Sequence, residues 1–219
     1  MRNSSDSPAD NMKPQILGIT GPSSSGKTEL ARQIISRLPG TSLISLDSYY
    51  LGMEEIPLAE RKKVNFDHPD AVDWKLLRLH LRLLMEGRSF NEPVYSFAEY
   101  ARTPETRLVT PSEFAIVEGL FVFYWPELRE LLDMKIYVQT APEVCFERRL
   151  CRDVAERGRT PESVREQYER TVLPGAEWFV MPTRKYADLV VSGEEPLTCS
   201  TAAVLRALNV NAGTYCAGA

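Results

Sequence analysis

The hydrophobic and polar positions divide most of the chain into short apolar runs and longer amphipathic stretches. Apolar, β-branched runs predict buried strands at residues 15–20, 41–46, 113–123, 134–138 and 187–191. Apolar residues at helical spacing predict helices at residues 29–38, from Asp73 to about Glu86, within 142–168 and around 201–208. Strands that alternate with helices indicate an α/β fold, in which a parallel sheet carries helices on both faces.

Residues 88–110 interrupt this alternation. The runs 92–97 and 107–110 predict a β-hairpin whose strands are joined by the polar stretch 98–106. Ordinary sheet packing would explain aromatic residues at near-alternating positions, and Phe97 in particular. A protruding hairpin has little core of its own, however. We therefore interpret Tyr95, Phe97 and Tyr100 as walls of a pocket for a flat ligand.

The first strand and the first helix flank a glycine-rich loop, GPSSSGKT. It fits the phosphate-loop pattern of glycine, four residues, then Gly-Lys-Ser/Thr, and its glycines allow several backbone N–H groups to converge on one anion. In such a loop Lys27 reaches the outer phosphates and the Thr28 hydroxyl ligates Mg²⁺. A flexible loop that fits by accident is the alternative, and the strand-loop-helix context favours phosphate binding. The predicted phosphate-binding residues are Gly21, Ser23, Ser24, Ser25, Gly26, Lys27 and Thr28.

Two carboxylates are placed for chemistry beside this loop. Asp47 follows the second strand, where a carboxylate can accept a hydroxyl proton or hold Mg²⁺ through water. An aspartate that only caps the next turn is an equally good interpretation at this point. Glu118 lies inside the most apolar run, where a charge is expensive unless it is paired or bound to a metal. We interpret it as the acidic residue that holds Mg²⁺.

Residues 142–168 predict a helix, a turn marked by Gly158 and Pro161, and a second helix. Five arginines crowd into this segment. A solvated helix face is one explanation, since Glu147, Asp153 and Glu156 supply counter-charges. A lid whose arginines fold over a triphosphate is the explanation that we favour. The five are Arg148, Arg149, Arg152, Arg157 and Arg159.

The loop before the helix that begins at Asp73 contains Asp67, His68 and Asp70. A turn alone does not require two carboxylates. His68 could be a metal ligand, but no second histidine lies at ligand spacing. We therefore favour a structural or solvent-facing histidine.

Composition excludes several function classes. The 219 residues suit one α/β domain, and the formal net charge of -4 lacks the basic bias of a nucleic-acid binder. No apolar run approaches the roughly 18 residues of a membrane-spanning helix. Four cysteines without metal-ligand spacing suit reduced thiols in a cytoplasmic protein.

We expect a disordered tail at 1–13, a single domain at 14–210 and a second tail at 211–219. Within the domain, we expect the hairpin at about 88–110 and the lid at about 142–168.

Taken together, these residues resemble the uridine/cytidine kinase family of phosphate-loop nucleoside kinases. The resemblance runs in order over roughly residues 15–192, and NFDHPDA and RDVAERGR are far more specific than a bare phosphate loop. The matching stretches are GPSSSGKT, LDSYY, NFDHPDAVD, PVYSF, VEGLFVFY, RRLCRDVAERGR and PTRKYADLVV.

The resemblance implies transfer of the γ-phosphate of ATP or GTP, with Mg²⁺, to the 5′-hydroxyl of a pyrimidine ribonucleoside. It implies a five-stranded parallel sheet with a hairpin and a helical lid, and a homotetramer. Asp47 takes the place of the general base, Thr28 and Glu118 those of the metal ligands, and Arg152 and Arg157 those of lid groups over the donor phosphates. The positions that match nucleoside-binding residues are Tyr50, Phe66, Asp67, Tyr95, Phe97, Arg149, Arg159 and Gln167.

Two positions depart from the family pattern. Tyr100 stands where many members have a histidine near position 4 of the pyrimidine, and Ser96 stands in the usual aspartate place. If Glu99 captures the phenolic proton, the Tyr100 oxygen becomes an acceptor and favours the amino group of cytidine over the carbonyl of uridine. Our hypothesis is a preference for cytidine. No consequence is predicted for Ser96.

Two other functions compete with this interpretation. A nucleotide-switch GTPase would share the phosphate loop but would have no use for an aromatic acceptor pocket. A kinase of a sugar phosphate or a pantothenate-like acceptor would need extra cationic or hydrogen-bonding groups rather than stacked aromatics.

Overall fold

The structure is a computed structural model that describes residues 13–53, 55–61 and 64–209. Apart from Lys13, the two predicted tails lie outside these residues. Within them, the strands are β1 Gln15–Thr20, β2 Ser42–Ser45, β3 Phe90–Ser96, β4 Ala101–Val109, β5 Phe114–Glu118, β6 Met134–Gln139 and β7 Leu189–Ser192. The α-helices are α1 Lys27–Arg37, α2 Leu58–Arg61, α3 Trp74–Met85, α4 Pro126–Arg129, α5 Pro142–Arg157, α6 Pro161–Gln167, α7 Leu173–Gly175 and α8 Leu197–Ala207.

Five strands form a parallel sheet in the order β2-β5-β1-β6-β7. Strand β1 is central, and the glycine-rich loop leaves its carboxyl end. In the pairing of β2 with β5, Ser45 lies opposite Glu118, so both strands finish at the same edge. The sheet therefore collects the loop, Asp47 and Glu118 at one end.

Alternate residues of the strands point into two apolar layers. Helices α1 and α8 cover one face of the sheet, where the buried residues include Leu17, Ile19, Leu30, Ile34 and Val204. Helix α3 and the segment after β5 cover the other, where they include Ile16, Leu77, Leu81, Val117 and Phe121. The predicted α/β fold, a parallel sheet with helices on both faces, is confirmed.

Strand β4 is longer than the sequence pattern predicts. The stretch 98–106 was expected to be a connection, but β4 begins at Ala101 and only residues 97–100 form the turn. The pattern misses it because the middle of β4 is exposed and polar, so it shows no apolar alternation. Its backbone nevertheless pairs with β3 over most of its length.

The hairpin is fastened to the chain around β2 at two levels, by Arg102 beside the turn 97–100 and by Glu92 nearer the open end. Arg102 Nε donates to the Tyr50 carbonyl oxygen at 2.9 Å, and its Nη2 lies 3.3 Å from Asp73 Oδ2. Glu92, only 1 % exposed, accepts the backbone N–H of Ser45 at 3.1 Å and is paired with Arg107. Burial raises the pKa of Glu92, and the Arg107 guanidinium opposes that rise.

The predicted strand at 113–123 is too long, because β5 ends at Glu118. At Gly119 a Cβ would lie 2.3 Å from Leu46 Cβ, so the chain passes close to β2's end and turns there. Residues 121–123 stay apolar because the turn is buried, not because the strand continues.

The segment 142–168 has the predicted two helices, α5 and α6, and Gly158 ends α5 in the left-handed region with φ 62°. The helical path then runs on, which the pattern did not predict. Tyr168–Val172 and Ala176–Val180 are π-helical, and Met181–Tyr186 is a 3₁₀ helix. In the part of the chain that the structure describes, no helix is both long and apolar enough to cross a membrane.

Candidate active site

The residues that directly follow β6 and β7 pack against the backbone of the glycine-rich loop. Thr140 Oγ1 donates to the Ser25 carbonyl oxygen at 3.0 Å. A Cβ at Gly193 would lie 2.1 Å from that same oxygen, so only glycine fits there. Gly26, at φ 100°, is the N-cap of α1, and the first N–H groups of a helix have no partner within it. Such a helix end suits an anion.

Two oxygen ligands meet beside this loop. Thr28 Oγ1 lies 3.1 Å from Glu118 Oε2, and Ser45 Oγ donates to Glu118 Oε1 at 3.0 Å. Glu118 is buried, with 5 % exposed. A hydroxyl and a carboxylate are hard oxygen ligands, and Mg²⁺ in nucleotide sites is held by one or two such groups together with substrate phosphates. The residues present therefore fit Mg²⁺.

Asp47 lies in the 3₁₀ helix Leu46–Tyr49 at the end of β2. Burial, together with the charge of Glu118, raises the pKa of Asp47 to about 6. The cations Lys27, Arg157 and Arg152 act in the opposite direction. A carboxylate with this pKa is charged at pH 7 yet basic enough to accept a proton.

Two cavities meet at Lys27, Thr28 and Asp47. The hairpin-side cavity, of about 620 Å³, lies between the glycine-rich loop, the hairpin and α5. The α8-side cavity, of about 660 Å³, extends from the same three residues toward Gly193 and the start of α8. Both have the size of small-ligand sites.

The predicted site residues are brought together with few exceptions. Gly21 and Ser25 are buried and line neither cavity. Ser24 and Gly26 line the α8-side cavity. The hairpin-side cavity is lined by Ser23, Lys27, Thr28, Asp47, Tyr50, Phe66, Asp67, Tyr95, Phe97, Tyr100, Glu118, Arg149, Arg152, Arg157, Arg159 and Gln167.

A polar cluster forms the floor of the hairpin-side cavity. Thr171 Oγ1 donates to Asp67 Oδ2 at 3.0 Å, and Arg149 donates to Ser23 Oγ at 2.9 Å and to Gln167 Oε1 at 3.1 Å. Burial raises the pKa of Asp67, against the effects of Arg149 and the Thr171 hydrogen bond. Burial also lowers the pKa of the Arg149 guanidinium, although nearby carboxylates oppose this. Asp67 thus lines the hairpin-side cavity as a buried carboxylate.

Aromatic side chains wall the same cavity as one connected cluster. The ring centroid of Tyr50 lies 5.2 Å from that of Phe66 and 5.4 Å from that of Tyr95. The ring centroids of Tyr95 and Phe97 are 5.4 Å apart. Those of Phe66 and Tyr100 are 5.7 Å apart. Phe97 is 48 % exposed, which argues against ordinary sheet packing. Flat rings around an open cavity suit a flat ligand.

The hairpin and the arginine segment touch across this cavity. The Arg157 guanidinium carbon lies 5.4 Å from the Phe97 ring centroid. Ser96, whose role was left open, accepts the Glu99 N–H through its Oγ at 3.3 Å and so closes the hairpin turn. His68 Nδ1 accepts the Asp70 N–H at 3.2 Å, and its ring packs on Phe179 at 4.6 Å. Those contacts give His68 a structural role.

Several site residues were not found from the sequence. Thr171 and Thr140 are ordinary hydroxyl residues in helical or turn context, without any local signal. Gly175 could have been noticed as a glycine within a helical run, since a Cβ there would lie 2.4 Å from the Asp67 carbonyl oxygen. Asp153 was considered only as a counter-charge on a helix face, whereas the structure buries it completely.

The geometry is that of a phosphate-loop enzyme with two ligand cavities, and comparison with known proteins agrees. A model of the phosphoribulokinase / uridine kinase family matches residues 16–196. The chain belongs to this family. It is therefore a kinase, which takes a phosphoryl group from a nucleotide.

Relatives cover most of the chain. A uridine kinase from Ligilactobacillus salivarius is 44% identical over 181 residues, which are 82% of this chain and 85% of that protein. A uridine kinase from Chloroflexus aurantiacus is 45% identical over 182 residues, or 82% of this chain and 87% of that protein.

Solved structures support the fold of this phosphoribulokinase / uridine kinase family member. Phosphoribulokinase from Rhodobacter spheroides has a TM-score of 0.62 and 21% identity, covering 84% of this chain and 74% of its own. D-glycerate 3-kinase from Cryptococcus neoformans has a TM-score of 0.62 and 18% identity, covering 84% and 88%. At such identities these likenesses concern the fold alone.

Proposed function

We propose that the protein transfers the γ-phosphate of ATP or GTP to the 5′-hydroxyl of a pyrimidine ribonucleoside, in a cytoplasmic pyrimidine salvage reaction. The observation that carries this proposal is the meeting of two cavities at Lys27, Thr28 and Asp47. One cavity has an aromatic wall and a buried carboxylate, and the other begins at the phosphate loop. Relatives named uridine kinase support a nucleoside as acceptor.

The hairpin-side cavity suits each part of a nucleoside. The aromatic cluster would hold the base, since flat rings pack on flat rings. Asp67 would accept hydrogen bonds from the ribose hydroxyls, which are donors that a carboxylate binds well. Arg149 and Gln167, already hydrogen-bonded to each other, would complete the polar side. Bound in this way, the ribose would present its 5′-hydroxyl toward Asp47.

Phosphoryl transfer depends mostly on positioning and on neutralising charge, because its transition state is loose. Lys27 and the arginines Arg152 and Arg157 would bind the donor phosphates and stabilise the charge on the moving group. Thr28 and Glu118 would hold Mg²⁺, which supplies further neutralisation at the phosphate oxygens. Asp47 would orient the 5′-hydroxyl and accept its proton late in the reaction.

A coupled kinase assay with Mg·ATP tests the proposal, with cytidine, uridine and adenosine at equal concentration. Turnover of a pyrimidine ribonucleoside well above adenosine supports it. Activity only with a sugar phosphate or a pantothenate-like acceptor would indicate another small-molecule kinase. Robust triphosphate hydrolysis without any acceptor would indicate a nucleotide switch.

The raised pKa of Asp47 predicts how the free enzyme responds to pH. The anionic carboxylate is the active form, so kcat/KM should reach a plateau above about pH 7, be half-maximal at a pH of about 6, and fall about tenfold per pH unit well below that. Titration of ¹³C-labelled aspartate by NMR should find one carboxyl with a midpoint of about 6, and Asp47→Asn should remove that signal. A midpoint near 4 for Asp47 would contradict the assignment.

The preference for cytidine is the finer part of the proposal. Tyr100 lines the cavity, and the adjacent Glu99 is exposed. If Glu99 holds the phenolic proton, the Tyr100 oxygen accepts from the cytidine amino group and meets the uridine carbonyl as a second acceptor. That mismatch costs about 1–3 kcal/mol.

A pair of variants tests this preference. Tyr100→His should raise kcat/KM for uridine about tenfold relative to cytidine, because an imidazole can donate or accept. Glu99→Gln should shift selectivity in the same direction, since an amide does not hold the proton. The ratio of kcat/KM values for the two nucleosides is the measurement. Unchanged ratios in both variants would remove Tyr100 from the account of specificity.

Resemblance to the uridine/cytidine kinases adds a homotetramer to the proposal. Light scattering on the purified protein measures its mass in solution. A mass of four chains supports this part, and a stable monomer contradicts it.

A further inference from the structure

The carboxylate of Asp153 is the meeting point of four arginines. Its side chain is 0 % exposed. Arg152 binds Oδ1 through Nε at 2.9 Å and Nη2 at 2.8 Å, and Arg157 Nη1 lies 3.5 Å from the same oxygen. Arg149 Nε lies 3.5 Å and Arg159 Nη1 3.4 Å from Oδ2.

The two oxygens of this carboxylate serve different sides of the site. Arg152 and Arg157, on Oδ1, line both cavities. Arg149 and Arg159, on Oδ2, both donate to Gln167 Oε1 and line the hairpin-side cavity. A single buried group therefore joins the arginines next to the donor phosphates to those next to the acceptor.

The backbone of Asp153 fixes the turn between the helices as well. Its carbonyl oxygen accepts the N–H of Gly158, which caps α5, and the N–H of Arg159 at 3.2 Å. Two of the four arginines thus lie in or beside a turn that the same residue closes. The sequence pattern suggests only a counter-charge on a helix face, and the proposed reaction assigns no role to this residue.

We propose that Asp153 is a positioning residue that holds the donor-side and acceptor-side arginines in one array. The inference rests on the proposed nucleoside kinase function and adds a residue that touches neither substrate. Four guanidinium groups repel one another, and a buried carboxylate between them offsets that repulsion. Arg152 contacts Oδ1 through two N–H groups of its planar guanidinium, so the carboxylate also fixes the orientation of this side chain. A compact ammonium group would not be oriented in this way.

Charge and positioning predict different kinetics for Asp153→Asn. Removal of a negative charge near the triphosphate would by itself leave the KM for Mg·ATP unchanged or lower. Loss of positioning should lower kcat at least tenfold, because the amide offers one oxygen and one NH₂ group, so one arginine pair faces a donor instead of an acceptor. The expected result is a lower kcat, which removal of the charge alone would not produce.

Glu147→Gln is the matched control, since Glu147 lies on the same helix, is exposed and undergoes the same change of charge. Its kcat and KM should stay within twofold of the wild-type values. The folded fraction is measured by circular dichroism, and kcat is given per folded enzyme. A kcat of Asp153→Asn within threefold of wild type overturns the inference.

Arg152→Lys provides a test that survives if Asp153→Asn does not fold. Lysine keeps the charge but cannot form the fork on Oδ1. Arg152→Lys alone should lower kcat about tenfold. Where Asp153→Asn also folds, the two losses should not multiply in the variant that combines Asp153→Asn with Arg152→Lys. Wild-type kcat in Arg152→Lys, or fully multiplicative losses, would contradict the array.

The wild-type enzyme in the same assay separates the two proposals. A wild type that phosphorylates no nucleoside contradicts the proposed function, and this inference with it. An active wild type together with fully active Asp153→Asn and Arg152→Lys contradicts the inference alone.

Discussion

Replacing Asp47 with alanine should lower kcat about 10²–10⁴-fold while Mg·ATP still binds. Asp47 lies where the two cavities meet, and its raised pKa suits a group that accepts a proton near neutral pH. The phosphate loop, Lys27 and Thr28 remain intact in the variant, so donor affinity should change little. Steady-state kinetics give kcat, and calorimetry gives the Kd of Mg·ATP.

Asp70→Ala is the control for that loss. Asp70 is an exposed carboxylate in the loop after Asp67, and its removal should leave kcat within twofold. Asp47→Asn should resemble Asp47→Ala, because an amide preserves size but cannot take the proton. If Asp47→Ala keeps near-normal turnover, the base must be sought elsewhere in the site.

Replacing Lys27 with methionine should lower kcat about 10²–10³-fold and also weaken Mg·ATP binding. Lys27 is the first residue of α1, so its charge adds to the positive end of the helix, and it lines both cavities. In the proposed reaction Lys27 would contact the donor in the ground state and in the transition state, whereas Asp47 would act on the acceptor. The two variants should therefore differ in donor affinity, with weaker binding in Lys27→Met alone.

Lys75→Met tests whether the lost charge alone matters. Lys75 is exposed on α3, on the polar side of that helix. Its removal should change neither kcat nor the KM for Mg·ATP by more than twofold. An equal effect of both lysine variants would mean that Lys27 acts through the overall charge of the protein instead of through the phosphates.

The sequence predicts best those parts of the site that depend on neighbours in the chain. The phosphate loop is a local motif, and the helix predicted from Asp73 is present as α3, where Asp73 is the N-cap and accepts the Leu76 N–H. Glu118 stood out because a charge inside an apolar run needs a partner, and the structure supplies Ser45 and Thr28.

The parts that were missed depend on distant residues. Thr171 binds Asp67 across 104 residues of sequence, and Thr140 binds Ser25 across 115. No sequence pattern near either threonine indicates which residue it will bind. Strand β4 was missed for another reason, since backbone pairing holds it in place while its side chains face solvent. Hydrophobic periodicity depends on side-chain burial, so it does not detect a strand that has no buried face.

The hairpin contacts the chain near Asp47 and the wall of the hairpin-side cavity through different residues. Glu92 accepts the backbone N–H of Ser45, two residues before Asp47, while Phe97 and Tyr100 in the turn line the hairpin-side cavity. Exchange of residues 97–100 would therefore alter this wall of the cavity, while the contact between Glu92 and Ser45 beside Asp47 stays in place.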